Sequence, residues 1–354
     1  MPENKENINK KEEKNSDTKI NLEEQKEKNL DDNNVIEEEI SEPSFMPTFQ
    51  VKAKYFPIPI IVVVILSGIL AYLSYVIAGI QLEGVIFPES EYGGIGALLN
   101  GLIFISYAAI TSFIIIYVIK KKGINALKYI FAFSFAFLCF FLLILYGDII
   151  LWLITRDIFE NELYIIVSNI MYVCIGAFTI LITYKYVKGN SFIIKNFFVL
   201  LIGLLIGAFL GMVIPPITTI IILILISIWD IYAVKSKRGP IKKMFDIFFE
   251  NSPKKEKIKK LEEKVEDGDY EVEYDISSLE IGIGDLAFYS MLTSHAIIFT
   301  NNVIILIATA CAVILGTGIT ILGLKKNKIL PGLPISIFLG LGTMLLTNLI
   351  FSIL

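Results

Sequence analysis

Two aspartates stand in stretches where a carboxylate is costly. Asp230 lies in the apolar run 216–234, five residues before Lys235, and Asp285 lies in the run 279–299, seven residues beyond Ser278. At about 1.5 Å of rise per helical residue, each carboxyl is expected roughly 7–10 Å inside its helix from the same end. An acid inside a bilayer costs at least about 2.5–3.5 kcal/mol on insertion scales, so two at one level imply a shared purpose. Two close carboxyl groups do not both ionise comfortably; they hold one proton between them and supply base and acid together. That pair suits hydrolysis of an amide, where one group takes a proton from water and another gives one to the carbonyl oxygen. No Ser–His or Cys–His nucleophile is needed, in keeping with the single histidine, His295, which reads as structural. Cys139, Cys174 and Cys311 lie in separate apolar runs without CxxC spacing, so neither a metal site nor a cofactor is expected.

The residues around the acids carry a second layer of signal. Gly282 and Gly284 precede Asp285 in a Gly-Ile-Gly-Asp string, and glycines there would let another backbone or helix come close to the carboxyl. Leu330-Pro331-Gly332-Leu333-Pro334 opens the last apolar run just after Lys328. Two prolines around a glycine deny the turn regular helical hydrogen bonds and place a bend at the depth of the aspartates. Its plainer reading is a helix start, where proline is welcome.

The elements that must position these residues are membrane spans. Of 354 residues, 55% are hydrophobic and 19% charged, whereas about a quarter of an ordinary soluble domain is charged. A bilayer core needs roughly 20 apolar residues per helix. Nine runs answer to that, at 56–80, 95–119, 127–151, 163–184, 192–213, 216–234, 279–299, 303–324 and 330–354. The fifth and sixth meet at Pro215-Pro216, a tight turn. Basic residues alternate between the loops. Lys52 and Lys54 precede the first run, Lys120–Lys122 follow the second, Lys185 and Lys188 the fourth, Lys235 and Arg238 the sixth, and Lys325, Lys326 and Lys328 the eighth. Loops 81–94 and 300–302 have none, and 155–162 has only Arg156. By the positive-inside rule the N-terminus is cytoplasmic and the C-terminus outside, which requires an odd number of spans.

Residues 1–50 hold 14 acids against 7 lysines and almost no aromatics, so a disordered acidic cytoplasmic tail is expected. Spans 1–6 occupy 51–234, a cytoplasmic loop 235–278, and spans 7–9 279–354. Within the loop, Ile241–Glu250 suits a helix on the membrane surface, and Tyr270–Ile276 alternates like a strand.

With these motifs in place, the chain resembles the presenilin and signal peptide peptidase family of GxGD intramembrane aspartyl proteases. Trp229-Asp230-Ile231-Tyr232-Ala233-Val234 with Lys237-Arg238-Gly239-Pro240 resembles the presenilin sixth-span motif. Gly282–Ser290 resembles the seventh-span GxGD segment, and Leu330–Ser336 resembles the ninth-span Pro-Ala-Leu motif. The resemblance covers 51–354 and implies an all-α, nine-span fold, with N-terminus in and C-terminus out, in a presenilin-like protein of prokaryotic, archaeal type. It implies Asp230 and Asp285 as the catalytic pair, with Trp229, Gly282, Gly284, Pro331, Gly332, Leu333 and Pro334 shaping the site. Trp229 stands where the family has Tyr, and Gly332 where it has Ala. The segment before the seventh span pairs with unwound substrate in presenilins, which assigns that part to Tyr270–Ile276.

The expected function is cleavage of transmembrane helical proteins or peptides by a multi-pass protein of the cell membrane. Membrane lipid is an expected partner; nucleic acid and accessory subunits are not. The alternatives are a prepilin-type peptidase, which usually has a basic residue where Ala287 stands, and a cation channel or transporter using the two acids as its path.

Overall fold

Backbone amides have no water to bond in lipid, so long apolar runs satisfy them internally as helices. A computed structural model of the chain describes residues 48–52, 55–158, 161–189, 191–236, 278–324 and 332–353. Among these are nine helices. α1 (Pro57–Ala71) continues as a π-helical stretch, Tyr72–Ile77, and is followed by α2 (Glu89–Lys122), α3 (Ile124–Thr155) and α4 (Asn161–Lys188). Then come α5 (Phe192–Val213), α6 (Pro216–Lys235), α7 (Ile283–Thr300), α8 (Val303–Leu324) and α9 (Leu333–Ile353). All except α7 are long and apolar enough to cross a bilayer. Residues 1–47 of the expected tail, the surface segment Ile241–Glu250, the strand-like Tyr270–Ile276 and Pro331 lie outside the described residues, whereas the last three tail residues, 48–50, are in a strand and not disordered.

The exception, α7, is the centre of the molecule. It spans 18 residues, and an unbroken stretch from Tyr289 to Ile297 is buried, including Ser290, Thr293, Ser294 and His295. Those polar groups lower its apolarity, and they are tolerable because protein, not lipid, surrounds them. Ser67 of α1 meets them: its Oγ lies 3.1 Å from Thr293 Oγ1, and its carbonyl accepts the Ser294 hydroxyl at 3.1 Å. By contrast α2 turns its apolar surface outward, with only 6% of its most apolar stretch buried against 56% for α5.

Close approach of α5 to α7 comes from a stripe of glycines one turn apart. A Cβ on Gly203 would stand 2.9 Å from Leu286 Cβ, and one on Gly211 2.7 Å from Ser294 Cβ. A Cβ on Gly207 would collide with Ser290 Cβ and the Ala287 carbonyl. Small residues at i, i+4 and i+8 let two backbones pack where no larger side chain fits.

The seventh span begins later than the apolar run at 279 suggests. Ser278–Gly282 is a strand, β2, paired antiparallel with β1 (Thr48–Lys52) in the register Thr48↔Gly282 to Lys52↔Ser278. Its sequence, Ser-Leu-Glu-Ile-Gly, alternates: Ile281 is buried while Glu280 is exposed. That is the period of a half-buried strand. Phe49 and Val51, opposite Ile281 and Leu279, pack on the same core. Asp285 is therefore the third residue of its helix, not a residue two turns inside one.

The glycine stripe makes a stability prediction. Gly207→Val should destabilise the protein by about 1–3 kcal/mol through overpacking, whereas Gly284→Ala, whose Cβ would meet open space, should cost nothing measurable. Thermal unfolding of the two purified variants beside the parent chain checks the contrast.

Candidate active site

Three helices bring their ends to one place. Asp230 lies five residues before the end of α6, Asp285 lies in the first turn of α7, and Gly332-Leu333 opens α9. The first amides of a helix have no partner within it, so a helix N-terminus offers donors to an anion. The Leu333 N–H donates to Asp230 Oδ2 at 3.3 Å. Gly282, just ahead of α7, lies against the Asp285 carboxyl: a Cβ there would stand 3.6 Å from its Oδ2. Both carboxyls border the same bend, Asp230 at Leu333 and Asp285 at the adjoining Gly332.

Gly332 sits against the second acid. A Cβ there would stand 3.3 Å from Asp285 Oδ2, closer than an ordinary contact, so a side chain would push the carboxyl aside. Leu333 and Pro334 are buried beside it. One bend therefore touches both acids: Gly332 lies along Asp285, and the next N–H holds Asp230. Tyr289, one helical turn beyond Asp285, donates its hydroxyl to the Gly332 carbonyl at 3.2 Å and is itself buried. The motif comparison passes over Tyr289 as a site residue, although its i+4 spacing puts it on the face of Asp285.

The other expected site residues fall differently. Trp229 is half-buried, with its ring 5.5 Å from that of Tyr232. Gly282 and Gly284 do not provide the close approach anticipated for them. A Cβ on Gly284 would meet nothing, and one on Gly282 would make ordinary contact with Asp285 at 3.6 Å. The physical reason is the strand: the chain is extended up to Gly282, so these glycines lie at a strand-to-helix junction, not in a helix interface. His295 is fully buried, its ring stacked on Phe299 at 5.6 Å and its nitrogens without a hydrogen-bond partner among the described residues. No three of His, Cys, Asp and Glu gather among the described residues.

A third acid within a span escapes the sequence reading. Asp148 of α3 accepts the Tyr172 hydroxyl at 2.8 Å and lines two adjoining apolar clefts of about 320 and 340 Å³ near Ile80 and Ile149. It lies toward the Arg156 end of α3 and has its own partner, which separates it from the dyad.

Chemically, two carboxyl groups beside one bend can share a proton, with Asp230 held by a backbone donor. A water between them could be deprotonated by one while the other protonates an amide carbonyl.

Comparison with known proteins bears on the family and the fold. The presenilin family model matches residues 60–258 and 248–354. Presenilin-B of Dictyostelium discoideum is 34% identical over 135 residues, a stretch covering 38% of this chain and 26% of that protein. The chain thus aligns with about a quarter of that relative's length. A presenilin-like protein of Arabidopsis thaliana is 22% identical over 326 residues, covering 73% of this chain and 79% of the relative. The solved structure of a presenilin family intramembrane aspartate protease superposes with a TM-score of 0.54 at 13% identity, over 83% of this chain and 97% of that one. At that identity the superposition speaks for the fold. The family match runs from α1 through α9, and with it the chain, an integral multi-pass membrane protein, belongs to the presenilin family.

Proposed function

We propose that this chain is an intramembrane aspartyl endopeptidase of the GxGD type, with Asp230 and Asp285 as its catalytic dyad. The observation that carries the reading is the Gly332-Leu333 bend, which contacts both acids and so brings the three presenilin-like motifs to one point. Family membership supports it, as does the fold shared with a protein described as an intramembrane aspartate protease.

In this reading the pair holds one proton and titrates as a unit. It activates water on one side of a peptide carbonyl and donates to the oxygen on the other. The substrates are transmembrane helices, whose amide bonds must first be unwound. Freed N–H and C=O groups inside a membrane need partners, and strand addition supplies them. β2, leading straight into Asp285, offers an extended edge next to that acid. The loop charges support a cytoplasmic N-terminus in the cell membrane, with the dyad near the inner surface. The enzyme acts without accessory subunits.

Asp230→Asn and Asp285→Asn should each abolish cleavage of a single-span substrate in liposomes while leaving the protein folded. Full activity in either variant, or a parent chain that fails to bind a transition-state-mimicking aspartyl protease inhibitor, would sink the protease in favour of a channel or transporter. A second prediction concerns the bend. Gly332→Val should displace the Asp285 carboxyl and lower kcat/KM by about 10²-fold, since small misplacements at a reacting centre are costly. Tyr289→Phe, losing one hydrogen bond to the bend, should lower kcat by up to about tenfold. Steady-state kinetics on both variants, with thermal unfolding as control, checks each.

A further inference from the structure

The pairing of β1 with β2 assigns the dyad a component from the far end of the chain. Thr48 is 232 residues from its hydrogen-bond partner Glu280, yet the strand it begins lies alongside the residues leading into Asp285. Asn196, one turn into α5, clasps the opposite edge of β1. Its Oδ1 accepts the Gln50 N–H at 2.9 Å, and its Nδ2 donates to the Gln50 carbonyl at 2.7 Å.

This clasp fixes which edge of β2 is open. In an antiparallel pair, opposed residues alternate between exchanging both backbone bonds and exchanging neither. With the Gln50 N–H and C=O turned to Asn196, Gln50 and Glu280 form a pair that exchanges neither. The ladder bonds therefore belong to Phe49–Ile281 and Val51–Leu279. The Glu280 N–H and C=O accordingly point away from β1. Two residues on, the Gly282 N–H points the same way, and Gly282 lies against Asp285, where an added Cβ would stand 3.6 Å from Oδ2. The edge that β1 leaves open therefore ends beside Asp285. Side chains lock the register: Thr48 Oγ1 and Gln50 Nε2 each donate to the Glu280 carboxylate at 2.8 Å.

We propose that Thr48–Lys52, clasped by Asn196, is a resident positioning strand that holds β2 extended and sets the register of the edge offered to substrate. The proposal rests on the protease reading and adds a segment ahead of the first span to the working site. β1 backs the substrate's edge and does not occupy it. A substrate strand adds beside Glu280, and the bond that reaches the dyad is fixed by the β1–β2 register.

The test uses the full-length chain and a single-span substrate in liposomes, reading kcat, KM and the cleaved bonds by mass spectrometry. Phe49→Pro and Val51→Pro, which remove ladder donors, should raise KM about tenfold more than Lys52→Pro does and spread cleavage over neighbouring bonds. Binding of a transition-state inhibitor should survive, because the dyad is untouched. Asn196→Ala, which removes the clasp alone, should shift KM and cleavage positions in the same direction, and it decides the matter if the prolines unfold the protein. Parental KM and cleavage positions in Asn196→Ala would overturn the proposal. Faster cleavage would overturn it too, by making β1 a plug. Amide exchange at Leu279 and Ile281 reads the strand without substrate. Protection in the parent chain that is lost in Val51→Pro is expected. Its absence in the parent overturns the resident strand even if the protease stands, and an inactive parent with protected amides counts against the protease alone.

Discussion

Carboxyl groups drawn out of water need donors and room, and in this protein a two-residue bend serves both acids. Gly332 lies against Asp285 because it has no side chain, and the N–H that follows it bonds Asp230. The arrangement depends on the start of α9, where an amide has no helical partner to lose by turning outward. Pro334 follows without an N–H of its own, which suits the first turn. Tyr289 ties the bend back to α7, so the three helix ends are bonded to one another as well as packed.

The rest of the fold makes room for α7. A helix carrying an aspartate, a histidine and several hydroxyls is a poor span by composition, and it is stable here because other helices surround it. Glycines of α5 bring one neighbour to backbone contact, and Ser67 of α1 meets its hydroxyls on another side. The apolar surface that a soluble protein would bury faces outward on α2 and α4, where lipid takes the place of a core. Polar residues are thus sorted inward and apolar ones outward around the helix that bears Asp285.

At the end of the helix bundle the rules change from helix to strand. The chain reaches Asp285 in an extended form, and extended backbone must be paired. A short strand from ahead of the first span does this on one edge, with an asparagine side chain closing the ladder beyond it. The other edge ends beside Asp285.

Much of this was legible in the chain itself. The number of helices follows from runs of apolar length, except that the seventh starts at Ile283 and not at 279, and the two acids declare themselves by their cost. Lysines between the runs set an expected orientation, and the motifs around Asp230, Asp285 and Gly332 announce the family. These are local properties, read within a window of some twenty residues. What the tertiary structure decided is which distant pieces meet. Glycines in α5 look like any others until α7 is found against them, while Gly284 looks like a packing residue and faces open space. Ser278–Gly282 carries an alternation short enough to vanish inside an apolar run, and only its partner at Thr48–Lys52 makes it a strand. Asp148 reads as one more acid until Tyr172 is seen to satisfy it. Composition fixes the solvent in which each segment is stable; pairing across two hundred residues depends on backbone groups that every residue carries, so no residue type marks it.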